Sequence, residues 1–158
     1  MLSEAVCLAM VMYLEGRGEG TQGMKEIGKT TIARSLDRRW PDSICHVVTQ
    51  AKYIKVNKTK HVDDYGTVYY TYDKQKVCQF ESFCKDGDLL SSLRDPAKVD
   101  SKAWEESNRL TEKMLSNRYK YKDSPKWFVA NYIEQPGWTD NLCVDKKHLK
   151  HIFYNDCK

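Results

Sequence analysis

SEAVCLAMVMYLEGRGEG, running from Ser3 to Gly20, is the stretch that decides the fold. Ala5 to Leu14 is an unbroken apolar run, preceded by Glu4 and ended by Glu15 and the alternating glycines Gly16, Gly18 and Gly20. A run with no polar face predicts a helix over residues 3–14 that is buried on nearly all sides and therefore central. The glycines then end it and open a turn. The same run resembles the core of a secretory signal, but no Lys or Arg precedes it and no small-residue cleavage site follows. It is also too short to cross a bilayer as a helix. The expectation is a chain with no export signal of its own and no stable membrane insertion.

Working outward, residues 22–38 predict a second helix, with Met24, Ile27 and Thr31 on one side and Ile32 and Leu36 beside them. Trp40-Pro41-Asp42 breaks it, and Asp42 is placed to cap a short third helix carrying Ile44, Val47 and Val48. The segment 51–77 changes character. It is rich in Lys, Asp and Tyr, and its centre, TVYYTY at 67–72, favours a strand or short hairpin with Gly66 in the turn. Residues 101–117 predict a helix through Ala103, Leu110 and Met114, capped by Asp100 or Ser101. Trp127–Ile133 reads as a short strand, Pro136-Gly137 as a turn before Trp138, and 148–154 as a closing segment partly buried through Leu149, Ile152 and Phe153. Neither repeat nor linker interrupts the chain, so residues 1–158 are expected to form one domain.

Net charge is +4, and the basic residues are scattered. That mildly favours an anionic partner. The runs Lys52–Lys60 and Lys146–Lys150 read as solvated faces, so nucleic acid is not expected as a partner. Six cysteines without a Cys-x-x-Cys pair argue against a zinc ribbon or a thioredoxin-like site. Their even number permits three disulfides. Cys78 and Cys84 are close enough to bridge a turn, while for Cys7 and Cys45 a reduced, buried state is as good a reading. His151 has no partner at metal-binding spacing and reads as a structural hydrogen-bonding residue. No metal and no cofactor are expected.

The chemistry-bearing candidate is Glu15. It is the first charged side chain after the apolar run, at the end of a buried helix. Desolvation penalises a carboxylate there, and the negative pole of the helix C-terminus adds to the penalty. A carboxyl group with a raised pKa holds a proton to donate, which is what glycosidic cleavage requires. Glu19 is its nearest rival, although its place beyond Gly18 favours solvation or capping. Arg17 is placed to orient a carboxylate or to bind substrate.

Glu15-Gly-Arg-Gly-Glu-Gly20, with Gly23 and Ala33-Arg34 after it, resembles the opening of the SleB-type cell-wall hydrolase family, which includes spore cortex-lytic and phage-borne wall enzymes. Trp40-Pro-Asp-Ser-Ile-Cys-His-Val-Val48, Cys78-Gln79-Phe80 with Cys84 and Asp86-Gly87, and Ala130-Asn131 with Pro136, Trp138 and His151-Ile-Phe-Tyr154 resemble further blocks of the family, in the same order. The chain departs from the family pattern at Gly16, at Ala33 where an Asn is usual, and at Glu81 where a Ser is usual. The segment between Gln50 and Cys78 is longer than usual and is expected to be a flap added over the cleft.

The resemblance implies a single lysozyme-like α+β domain, mainly helical with a small β-hairpin or sheet. It implies cleavage of the peptidoglycan glycan strand between N-acetylmuramic acid and N-acetylglucosamine, with Glu15 as catalytic acid. Gln79, Asn131 and Tyr154 are then candidates for gripping N-acetyl and hydroxyl groups, and Phe80 and Trp138 for stacking on sugar rings. A lytic transglycosylase needs Glu15 alone. A muramidase needs a second carboxylate, for which Glu81, Asp86 and Asp88 are candidates. The competing classes are a wall-binding or virion structural protein without catalysis and a zinc amidase, for which a ligand set is missing. A monomer is expected, phage-encoded and acting on the host wall after release or from the virion.

Overall fold

The computed structural model describes residues 2–84, 93–95 and 98–158. Helix α1 spans Glu4–Gly16, and Ser3 caps it, its Oγ accepting from the Val6 amide. Cys7 through Tyr13 are all buried, because α1 packs against three other helices. These are α2 (Gly20–Ser35), α3 (Ile44–Val48) and α4 (Ser101–Leu115). Leu8, Val11 and Met12 meet Ile27, Ile32, Ile44, Leu110, Met114 and Phe153 in one core. Burial on every side is what a helix without a polar face requires. By contrast α4 has one apolar stripe, through Leu110 and Met114, and is held at its start by the Asp100 carboxylate.

Two antiparallel sheets complete an α+β fold that is mainly helical. Strands β1 (Ala51–Val62) and β2 (Val68–Cys78) form a long hairpin with Gly66 at φ +79° in its turn. Strands β3 (Trp127–Ala130), β4 (Cys143–His148) and β5 (His151–Asn155) form a second sheet in the order β3-β5-β4. Its Phe153 and Val129 reach the core. Disulfides join Cys7 to Cys45, Cys78 to Cys84 and Cys143 to Cys157. The first ties α1 to α3, so Cys7 and Cys45 are bridged rather than reduced. Among the described residues, no helix is long and apolar enough to cross a membrane.

Several local expectations shift. The cap of α3 is Ser43, whose Oγ accepts from the His46 amide, and not Asp42. Helix α2 stops at Ser35, short of residue 38. Leu149 is 65% exposed at φ +45° in the tight turn between β4 and β5, while Phe153 is buried as expected, Ile152 is half-buried and Tyr154 is buried too. The 51–77 segment is not a flap on Glu15: among the described residues, none of the hairpin lines the cleft around that carboxyl group.

Candidate active site

Glu15 lies in the last turn of α1, and a 3-10 turn, Arg17–Glu19, leads from there into α2. The junction is tight. A Cβ on Gly16 would stand 2.7 Å from the Met24 Cα, and one on Gly23 would overlap the Glu19 Cβ. Glycine at both positions lets α1 and α2 approach closely enough to present Glu15 and Glu19 on one cleft. That cleft holds about 310 Å³ and is lined by Leu14, Glu15, Arg17, Gly18, Glu19, Tyr132, Lys150 and His151. A larger cavity, about 720 Å³ near the C-terminus, is lined by none of the candidate residues.

Burial raises the pKa of the Glu15 carboxyl group, with the charge of Glu81 adding to the effect. The Ser82 hydroxyl, which donates to Glu15 Oε1 at 3.2 Å, works against the rise, as do His151 and Arg17, but burial prevails. Among the described carboxyl groups Glu15 stands apart in this respect. Glu26 is drawn downward: burial would raise it, but hydrogen bonds from Lys146 and Lys29 outweigh that cost. Asp37, Glu106 and Asp156 are held low by Arg39, Arg109 and Arg39 respectively. Each of these has a cationic partner in direct contact, whereas Glu15 has a hydroxyl.

Glu19 is not solvated. Its side chain is 8% exposed, and its Oε1 accepts from the Lys150 amide at 3.2 Å. His151 Nδ1 lies 2.7 Å from the same oxygen, off the line of a hydrogen bond, so this contact is one of charge and depends on the imidazole carrying a proton. The His151 ring is fixed edge-on against Phe128. Arg17 is exposed, donates to the Tyr13 carbonyl and lies over the Tyr13 ring. It also lines a neighbouring cleft of about 520 Å³ between α2 and α4, so both clefts share this guanidinium.

The other candidates separate into groups. Gln79 and Trp138 line a third cleft, about 360 Å³, with Lys52 and Val77 at the hairpin root. Phe80 is 2% exposed, with its ring in the core beside Phe83 and Phe128, and offers no face to a sugar. Tyr154 is 5% exposed, and its hydroxyl is spent on Gln135 Oε1 at 2.7 Å. Asn131 uses its side chain on the Leu149 carbonyl and its amide on the Lys150 carbonyl, which steadies the turn carrying Lys150 and His151 to the cleft. Glu81 is exposed at the start of the Glu81–Cys84 turn. Asp86 and Asp88 lie outside the described residues.

Sequence reasoning missed Ser82, Tyr132, Lys150 and the position of His151. Ser82 is 67 residues from Glu15 in the chain, and no local pattern joins them. The His151-Ile-Phe-Tyr154 block was the available signal for His151.

A family model described as Cell Wall Hydrolase matches residues 18–154. The matched residues include Glu19, Ser82 and His151 and begin just past Glu15. No curated protein and no solved structure matches the chain.

Proposed function

The chain belongs to the cell wall hydrolase family, and from that premise we propose that it cuts the peptidoglycan glycan strand between N-acetylmuramic acid and N-acetylglucosamine, as a lytic transglycosylase with Glu15 as its single catalytic carboxyl group. The observation that carries this reading is the raised pKa of a half-buried carboxyl group facing an open cleft. In the first step protonated Glu15 gives its proton to the glycosidic oxygen, and the bond from that oxygen to C1 of the muramic acid breaks. In the second step the Glu15 carboxylate takes the proton of the muramic 6-hydroxyl, and O6 closes on C1 to form an anhydro ring. Glu15 ends protonated, as it began, and no water is consumed.

The surroundings favour one acid over two. Among the described residues, Glu19 is the second carboxylate lining the cleft, and it is occupied by the Lys150 amide and His151. We assign it a positioning role, holding the β4–β5 turn against the cleft floor. Ser82 orients the Glu15 carboxyl group, and Arg17 is placed to bind substrate at the boundary of the two clefts. Three disulfides suit the oxidising side of the cell envelope, where the wall lies.

Mass spectrometry of peptidoglycan digested with the purified protein tests the reading. Anhydro-muropeptides are expected from the unsubstituted protein and none from Glu15→Gln. Reducing muramic ends would replace the cyclisation step by attack of water. Undiminished product from Glu15→Gln, with loss in Glu19→Gln, would move the acid to Glu19.

A further inference from the structure

Hairpin β1–β2 gathers five of its six lysines on one face; Lys52, paired with Val77, lies on the other. Its register pairs Tyr53 with Lys76, Lys55 with Lys74 and Lys60 with Tyr70. Cross-strand partners and alternate residues along a strand share a face. One face therefore carries Lys55, Lys60, Lys74 and Lys76, with Tyr53, Tyr70 and Tyr72 between them. A bulge between Val56 and Thr59, with Asn57 at φ +53°, turns Lys58 onto that face. The Lys58 ammonium lies 4.0 Å from the Tyr70 ring centroid, and that of Lys55 lies 5.2 Å from Tyr72. No Asp or Glu occupies a position on this face. Asp73 belongs to the opposite face, where Asn57 donates to it, and Asp63 is engaged by turn amides at the tip.

Among the described residues, no internal partner accounts for this arrangement. Lys55 and Lys74 stand directly opposite one another, a like-charge pair that weakens the ladder. Tyr53, Tyr70 and Tyr72 are 67%, 46% and 43% exposed. In β1 the half-buried residues Val56 and His61 lie on the other face, and on the lysine–tyrosine face only Cys78, at the root, is half-buried. The cations here are all Lys, compact point charges on flexible stems that can pair with carboxylates without a fixed geometry. The root of the hairpin leads directly to the site: β2 ends at Cys78, the Cys78–Cys84 bridge closes the following turn, and Ser82 in that turn touches Glu15.

We propose that the lysine–tyrosine face is a second contact for peptidoglycan, gripping stem-peptide carboxylates of the strand whose sugars occupy the Glu15 cleft. The inference rests on the glycan-cleaving reading. It makes the hairpin an anchor that holds the polymer beside the cleft.

Co-sedimentation of the full chain with purified sacculi tests it, with Glu15→Gln in place to prevent digestion. Adding Lys55→Gln, Lys58→Gln, Lys74→Gln and Lys76→Gln should weaken binding about tenfold at low salt, the sum expected of four exposed ion pairs. The four lysines changed to Arg should restore it. Amidating the carboxylates of the sacculi with carbodiimide and methylamine should produce a similar loss for the protein with its lysines intact, a measurement that needs no hairpin variant. Unchanged binding to amidated sacculi overturns the proposal. So does loss confined to sacculi stripped of phosphodiester-linked polymers, or tighter binding to duplex DNA or to anionic vesicles than to sacculi. Failure of the hairpin proposal leaves release of glycan fragments by the unsubstituted protein intact; failure of the cleavage reading abolishes that release whatever the binding.

Discussion

Around Glu15 the chain is packed so closely that neither Gly16 nor Gly23 leaves room for a methyl group, whereas hairpin Ala51–Cys78 leaves nearly every side chain in water. The two regions treat charge in opposite ways. At the α1–α2 junction a carboxyl group is half-buried with no cation in direct contact among the described residues, and its acid–base behaviour changes as a result. On the hairpin, the lysines stand exposed to solvent, so what they offer is attraction and not proton transfer. Burial shifts the acid–base balance of one charged residue, and exposure leaves several as a charged surface.

The contrast can be broken experimentally, most sharply at the acid itself. Glu15→Gln should lower the rate of glycan release about a thousandfold, the scale of a lost general acid, measured as soluble fragments over time. Loss of only a few-fold would return Glu15 to the status of a helix-end residue. Next in size is packing. Gly16→Ala forces a methyl group against the backbone of α2 and should cost about 1–3 kcal/mol. Tyr65→Ala at the hairpin tip, where the ring is 94% exposed, should stay within about 0.5 kcal/mol of the parent. Equal losses in chemical denaturation would mean that the two regions are not packed differently.

A smaller effect concerns stability against pH. Burial holds the folded-state pKa of Glu15 above its ordinary value of 4.5. The stability tied to its proton is fully present below the unfolded value and is lost as pH rises through the folded one. Glu15→Gln should therefore melt above the parent at about pH 8, with the gap closing towards about pH 4. A gap that widens on acidification contradicts a raised pKa. Smallest of all, Glu81→Gln removes a charge that pushes Glu15 upward. The alkaline limb of the activity profile should move slightly to lower pH while the maximal rate persists. A collapse of that rate would assign Glu81 a direct part in catalysis.

Much of the fold was legible in the sequence because it follows from local rules. An apolar run without a polar face has to be central, a Lys- and Tyr-rich segment with Gly66 at its turn pairs with itself, and an Asp100 cap opens α4. The place of Glu15 followed from the same run. The misread residues are those whose partners lie far along the chain. Phe80 and Tyr154 look like sugar-binding aromatics as residue types, yet packing turns one into the core and spends the hydroxyl of the other on Gln135. Asn131 looks like a ligand-gripping amide and instead ties down a turn.

By itself, the sequence determined the central helix, the carboxyl group at its end and the charge of the hairpin, since helical burial, chain breaks and composition act within a few residues. Tertiary structure alone decided that Ser82 meets Glu15, that His151 faces Glu19, and that Lys55, Lys58, Lys60, Lys74 and Lys76 share one hairpin face free of acids. Those outcomes depend on how helices close on one another and on strand register, where a shift of one residue reverses every side chain.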